Sequence, residues 1–149
     1  FDELGKATSR GVLKRVGIKA LAEEFVPEAK RLAPDDPETG DADLNSSIIA
    51  SDKLNPRQRS LNRKREDKSF AEVYAGPTVP QGLQQEFGNV NHGPQAFMRP
   101  AWDATWGKVL AKVASGLWGE IEKAVARKAK RAAAKAARDA QRWNRTFAS

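Results

Sequence analysis

Apolar side chains recur every three or four residues through the first quarter of the chain, the spacing of an amphipathic helix. The pattern predicts a helix over residues 2–33. Pro27 removes one helical hydrogen bond and disfavours helical geometry at Val26, so we expect a kink or a restart at this pair. Residues 34–43 hold two prolines, one glycine and five acids, which predicts an acidic turn.

Two later stretches, residues 44–51 and 69–76, have the alternating or aromatic and β-branched character of half-buried strands. Between them lies a charged loop at 52–68 with little apolar surface to bury. Such a loop is either a solvated, mobile connection or an arm used in assembly, and both interpretations remain open. The residues of the candidate arm are Arg57, Arg59, Arg63, Lys64 and Arg65.

Residues 81–102 combine bulky apolar side chains with several residues that interrupt regular structure. Residues 81–87 suit a short helix or a strand end, and Gly88 can supply the left-handed conformation that closes it. A rigid loop should follow, because His92, Gly93 and Pro94 break any periodic pattern. Pro100 is suited to the first position of a helix.

From Pro100 onward the pattern is helical, with two apolar stripes in succession. The first predicts a face packed on the core and consists of Trp102, Trp106, Val109, Leu110, Val113 and Leu117. The second is centred roughly 120° away and consists of Trp118, Ile121, Val125, Ala129, Ala132, Ala136, Ala140 and Trp143. Gly116 and Gly119 lie at the change of side, where helices often bend or end. We therefore expect residues 100–115 to pack on their own domain, and 120–145 to leave that surface and pack on something else, such as a neighbouring subunit.

The formal net charge of +7 is concentrated at the end of the chain, because residues 127–145 hold eight basic residues and one acid. Seven of the basic residues lie within about 160° of the helix circumference: Arg127, Lys130, Arg131, Lys135, Arg138, Arg142 and Arg145. Such a face attracts DNA phosphates without reading sequence. It can equally be a solvated face or one that pairs with acids.

Catalytic and metal-binding chemistry has little support in the sequence. His92, the only histidine, lies in a loop where a hydrogen-bonded or solvated role is favoured over general-base catalysis. Asp41, Asp43, Asn45 and Asp52 follow a calcium-loop spacing, but the glycine and final glutamate of such loops are missing. We therefore predict a protein that is not an enzyme, with no cofactor and no metal. The lack of cysteine fits a reducing cytoplasm, and no apolar run approaches the roughly 18 residues of a membrane span.

Two sequence blocks resemble the tail-completion or neck proteins of long-tailed double-stranded DNA phages. One pairs Gln-Glu-Phe-Gly at 85–88 with Phe-Met-Arg-Pro-Ala at 97–101. The other reads VPEAKRLAP at 26–34, followed by Thr-Gly at 39–40, Leu44 and Ser-Ile at 47–48. Together the blocks cover roughly a third of the chain in the expected order. The chain departs from the family pattern at Ala96, where a proline is expected, and in a longer stretch between Pro34 and Thr39.

The resemblance implies a structural virion protein that joins the tail to the head connector, as an oligomeric ring of six copies. It implies partners among the head connector or stopper, the tail terminator and the tail tube. Its place would be the virion neck, after assembly in the host cytoplasm. The subunit or partner interface would include Phe87, Gly88, Phe97, Arg99, Pro100, Trp118 and Trp143.

For Phe87 and Trp102 the sequence itself favours burial in the core. The fold expected is α+β: one domain, 1–149, in which a small antiparallel sheet packs with a kinked N-terminal helix and a long C-terminal helix, with a basic extension at 120–149. The alternative function is sequence-neutral nucleic-acid binding through the basic helix.

Overall fold

Long helices and a short hairpin make up the fold, which is α+β. The structure, a computed structural model, describes residues 6–34, 44–61 and 70–147, with the backbone alone at residues 6–8, 57, 61 and 147. The described elements are α1 (Lys6–Ala20), a π-helical turn (Leu21–Phe25), α2 (Val26–Leu32), α3 (Leu44–Ser47), β1 (Ile48–Ser51), α4 (Pro56–Leu61), β2 (Tyr74–Pro77), α5 (Gln81–Phe87) and α6 (Met98–Phe147).

The N-terminal helical segment runs from α1 into α2 through the π-helical turn. The Val26 backbone N–H donates to the Leu21 carbonyl, one residue further back than in an α-helix. A proline ring in a regular helix collides with the carbonyl four residues earlier, and the wider turn relieves that collision. The expected restart at Val26–Pro27 is confirmed, since α2 begins at Val26 with Pro27 in its first turn, and the irregularity itself lies in the π-helical turn just before this pair.

The hairpin pairs β1 with β2 in antiparallel register, with Ile48 opposite Pro77 and Ser51 opposite Tyr74. Both strands are shorter than the sequence predicted. Residues 44–47 form the helical turn α3, because the Ser47 hydroxyl donates to the Leu44 carbonyl at 2.7 Å and so competes with strand pairing. The second strand starts at Tyr74, whereas the pattern had placed its start at residue 69.

The core lies where the N-terminal helical segment meets α6 on one side and the hairpin on another. Phe97 and Ile48 are its largest fully buried side chains. The buried apolar residues are Ala20, Leu21, Phe25, Ala29, Ala33, Ile48, Phe97, Ala101 and Val109. Many of them are alanines, so the helices approach closely.

The face of α6 that packs on the core agrees with the predicted stripe at Val109 and Val113 but not at its two tryptophans. Ala101, Thr105 and Val109 are buried, whereas Trp102 and Trp106 are 44% and 52% exposed. The bulky side chains flank the contact because small residues let the helices approach. The Trp102 and Phe25 rings contact each other in a T-shaped arrangement, with 5.8 Å between centroids. The expectation that Trp102 is a core residue is wrong.

Helix α6 continues without interruption through both glycines, for 50 residues or about 75 Å. The helix therefore does not end at Gly116 or Gly119, which the sequence pattern had marked as a place for a bend or an end. Gly116 instead marks a close contact with α1, because a Cβ atom there would lie 2.7 Å from the Val16 Cγ1. A Cβ at Gly119 would meet no described residue within 4 Å.

Candidate assembly surfaces

A carboxylate supplied by α5 caps the N-terminus of α6. The Glu86 side chain accepts hydrogen bonds from the backbone N–H groups of Phe97, Met98 and Arg99, at 2.8, 2.9 and 3.2 Å. These donors have no partner inside the helix, and the helix dipole favours a negative charge at this end. Glu86 therefore ties the start of the long helix to α5.

The helix cap was not identified from the sequence, which placed the helix start at Pro100. Helix α6 begins two residues earlier, and Pro100 occupies its first turn, where its missing N–H costs nothing. The donors lie 11 to 13 residues from Glu86. Local capping motifs span only about three residues, so no local sequence pattern predicts this contact.

Gly88 closes α5 with φ 79° and ψ 173°. The positive φ agrees with the prediction, but the ψ lies outside the left-handed helical region and in one that is essentially restricted to glycine. A Cβ atom at this position would also lie 2.9 Å from the Pro94 backbone nitrogen. Glycine is therefore required here by conformation and by space.

Hydrogen bonds hold the loop between α5 and α6 in one shape. The Gln95 N–H donates to the Gln85 carbonyl at 2.7 Å, and the Asn89 side chain accepts from the N–H groups of Asn91 and His92. The His92 Nδ1 lies 2.9 Å from the Gly93 carbonyl oxygen. The histidine thus takes part in local loop structure.

The predicted interface residues around this junction separate into a buried and an exposed set. Phe97 is completely buried, so its assignment to an interface is wrong, since the core already covers it. Phe87 is 63% exposed, which contradicts the expectation of a core position and leaves its ring available to a partner. Arg99 and Pro100 are exposed beside the helix cap.

The end of α6 projects from the rest of the molecule. Every side chain described from Val125 to Thr146 is exposed, over about 32 Å of helix. All seven residues of the predicted basic face belong to this part and are exposed. Trp118 and Trp143, which are 63% and 65% exposed, lie on the opposite side, about 38 Å apart along the helix axis and far from the α5–α6 junction. The predicted interface residues are therefore distributed over two distant surfaces.

A lysine on α6 and two glutamates of the π-helical turn fix the projecting helix to the domain. The Lys112 Nζ lies 2.6 Å from a Glu23 carboxylate oxygen and 2.7 Å from one of Glu24. The hydrogen bond from Lys112 lowers the pKa of Glu23, and the same contact raises the pKa of Lys112. In the second half of α1, Arg15 pairs with Glu120 at 3.0 Å.

The charged segment after β1 contains α4, whose first turn is held by reciprocal bonds between Asn55 and Gln58. Arg59 is exposed on this helix. Arg57 has only its backbone described, and the other three residues of the candidate arm, Arg63, Lys64 and Arg65, lie outside the described residues. The assembly arm remains a prediction.

The partial calcium-loop spacing is not brought together as a site among the residues described. Asp52 pairs with Lys14 at 3.4 Å, and the Asn45 amide donates to the Lys30 carbonyl. Asp41 and Asp43 lie outside the described residues. Within the described ranges, no group of three or more histidines or acids is placed to hold a metal ion. No helix in those ranges is long and apolar enough to cross a membrane.

Comparison with known proteins returned no match. No protein-family model, no curated protein and no solved structure matches this chain.

Proposed function

We propose that this protein is a structural subunit of a tailed-phage neck, which completes the tail and joins it to the head connector. The observation that carries the proposal is the projecting part of α6, with Val125 and Trp143 exposed on a helix that leaves the domain. In proteins, a helix gains most of its stability from the packing of its apolar face against another element. An apolar face without a covering element within the described chain therefore points to intermolecular packing.

The sequence blocks at 85–88 and 97–101 support the same role. In the structure, these blocks form one unit, in which Glu86 caps α6 and presents Phe87 and Arg99 at the surface. In the proposed ring of six copies, this junction is one contact surface and the outer side of α6 is a second. The head connector or stopper, the tail terminator and the tail tube are the proposed neighbours, and the virion neck is the proposed location.

The test of this function is disruption of the coding sequence in the phage or prophage genome that carries it. We expect filled heads and complete tails that fail to join, counted by electron microscopy of the lysate. Complementation with the unchanged gene should restore joined particles. Joined, infectious particles in the disrupted strain would refute the neck role.

The second candidate function is sequence-neutral DNA binding, favoured by the seven exposed basic residues on one side of the projecting helix. If up to seven cations each contact one phosphate, the logarithm of the DNA affinity should fall linearly with the logarithm of the salt concentration. The slope should be about −0.9 for each contact. Titration of duplex DNA at several salt concentrations measures the slope. A chain ending at Ala124 should lose the binding, and binding by that truncated chain would exclude the basic helix as the DNA-binding surface.

A further inference from the structure

One side of α6 carries an apolar seam with an 11-residue repeat. Its members lie at spacings of three, four and four residues, and every one is apolar or glycine: Gly107, Leu110, Ala114, Trp118, Ile121, Val125, Ala129, Ala132, Ala136, Ala140 and Trp143. Leu110, Trp118 and Val125 are each more than half exposed. Counting 100° per residue, the seam lies roughly 180° from the buried side of α6. An 11-residue repeat keeps an apolar seam facing a partner helix along a nearly straight, slightly right-handed path.

The seam is complementary to itself when a second copy runs in the opposite direction. When the second helix is turned end for end about Val125, every seam position faces a seam position of the other copy, and Val125 faces Val125. Large residues then face small ones: Trp118 faces Ala132, Ile121 faces Ala129, Leu110 faces Ala140, and Trp143 faces Gly107. Facing large and small residues interdigitate at native packing density. In a parallel, in-register pair, by contrast, each tryptophan would meet its own copy.

Gly107 supports this register independently. Glycine in the interior of a helix is destabilising, and a Cβ atom at Gly107 would meet nothing within 4 Å. Among the residues that the structure describes, packing within one chain therefore gives no reason for glycine at this position, in contrast to Gly116 against Val16. In the antiparallel pair, Gly107 leaves room for the indole ring of Trp143 from the second copy.

Area and charge both permit the contact. The seam spans 36 residue steps, so a strip about 54 Å long and about 10 Å wide covers roughly 540 Å² on each chain. Two chains bury roughly 1,100 Å², just above the ~1,000 Å² minimum for a biological interface. The seam positions carry no charge, and the seven residues of the predicted basic face lie on the other side of α6 and stay in water.

We propose that the free protein pairs with a second copy of itself through this seam, as an antiparallel dimer with its two-fold axis at Val125. The inference stands independently of the neck role. Subunits of a cyclic ring all point the same way along its axis, so the two-fold pair is a separate state. In that state the apolar side of the projecting helix is covered before assembly.

Cross-linking tests the pairing and its direction, and the natural lack of cysteine makes single-cysteine variants unambiguous. Full-length Val125→Cys and Ala132→Cys proteins are treated with a bismaleimide that spans the about 8–10 Å between packed helices. Two Val125→Cys sites meet at the axis and should cross-link. Two Ala132→Cys sites lie about 21 Å apart along the pair and should not. Cross-linking of both variants would show parallel packing, and cross-linking of neither would show that the seam is not the contact; either result overturns the proposal.

A matched pair of glycine variants tests the register. Gly107→Leu fills the space assigned to Trp143 and should weaken dimerisation by about tenfold or more, measured by analytical ultracentrifugation. Gly119→Leu is the control, because this glycine is also in the helix interior with open space around its Cβ position but lies off the seam. It should leave the dimer constant within about twofold. Circular dichroism verifies that both variants are folded, and unchanged dimerisation of Gly107→Leu would refute the register.

Discussion

The helix cap at Glu86 is the contact whose removal has the most specific expected effect. Replacing Glu86 by alanine leaves three backbone N–H groups at the start of α6 without the acceptor that lies 2.8 to 3.2 Å away. Loss of a single N-terminal cap costs about 0.5–2 kcal/mol, and loss of a charge at a helix N-terminus costs about 0.3–1 kcal/mol. Because a partly buried carboxylate serves several donors here, we expect a loss of about 2–3 kcal/mol.

Thermal unfolding followed by circular dichroism measures this loss. For a chain of this length, about 2–3 kcal/mol corresponds to a fall in Tm of about 4–12 °C. Glu86→Gln keeps one acceptor oxygen and removes the charge, so its Tm should lie between those of the unchanged protein and Glu86→Ala. Glu122→Ala is a matched control, since Glu122 is an exposed glutamate in the middle of α6, the helix that Glu86 caps. Its effect on the free energy of unfolding should stay within about 0.5 kcal/mol.

The melting temperatures of Glu86→Ala and Glu122→Ala, compared with each other, measure what the cap contributes to stability. Equal melting temperatures for Glu86→Ala and Glu122→Ala would show that the cap contributes no net stability. A Glu86→Gln variant as unstable as Glu86→Ala would show that the charge, and not the number of acceptor oxygens, carries the effect.

Three further predictions concern the packing of α6, its ion pairs and the proposed interface. Gly116→Val should destabilise the fold by about 1–3 kcal/mol in urea unfolding, because its side chain meets Val16. The pKa of Glu23 lies below its ordinary value of 4.5, so its ionised form stabilises the fold above about pH 4.5 and that contribution is lost as the pH falls through the lowered pKa. Lys112→Met should reduce this acid dependence of the unfolding free energy. Arg99→Ala should impair head–tail joining in complementation while its Tm stays unchanged; a collapse of the thermal transition would instead assign Arg99 to the fold.

Local sequence patterns were sufficient for the elements themselves. Helical periodicity predicted both long helices, and alternation placed one strand at Ile48 and Ile49 with opposite burial. The positive φ of Gly88 was also predictable, because it depends on the residue type and on its place after an apolar element. These features depend on neighbouring residues, which a sequence pattern contains.

Tertiary contacts decided which side of each element is buried and how its ends are held. The size of Trp102 and Trp106 favoured their stripe as the core face of α6, but close packing of helices selected the side with Ala101 and Gly116. The cap from Glu86 depends on the position of α5 relative to α6, which no local spacing expresses. The sequence by itself determined that the chain from Pro100 onward is helical, with apolar and basic sides; only the tertiary structure decided that the helix runs unbroken through Gly116 and Gly119, which side faces the domain and which side stays exposed. Periodicity defines directions around a helix, whereas the shape of the neighbouring helix selects among them.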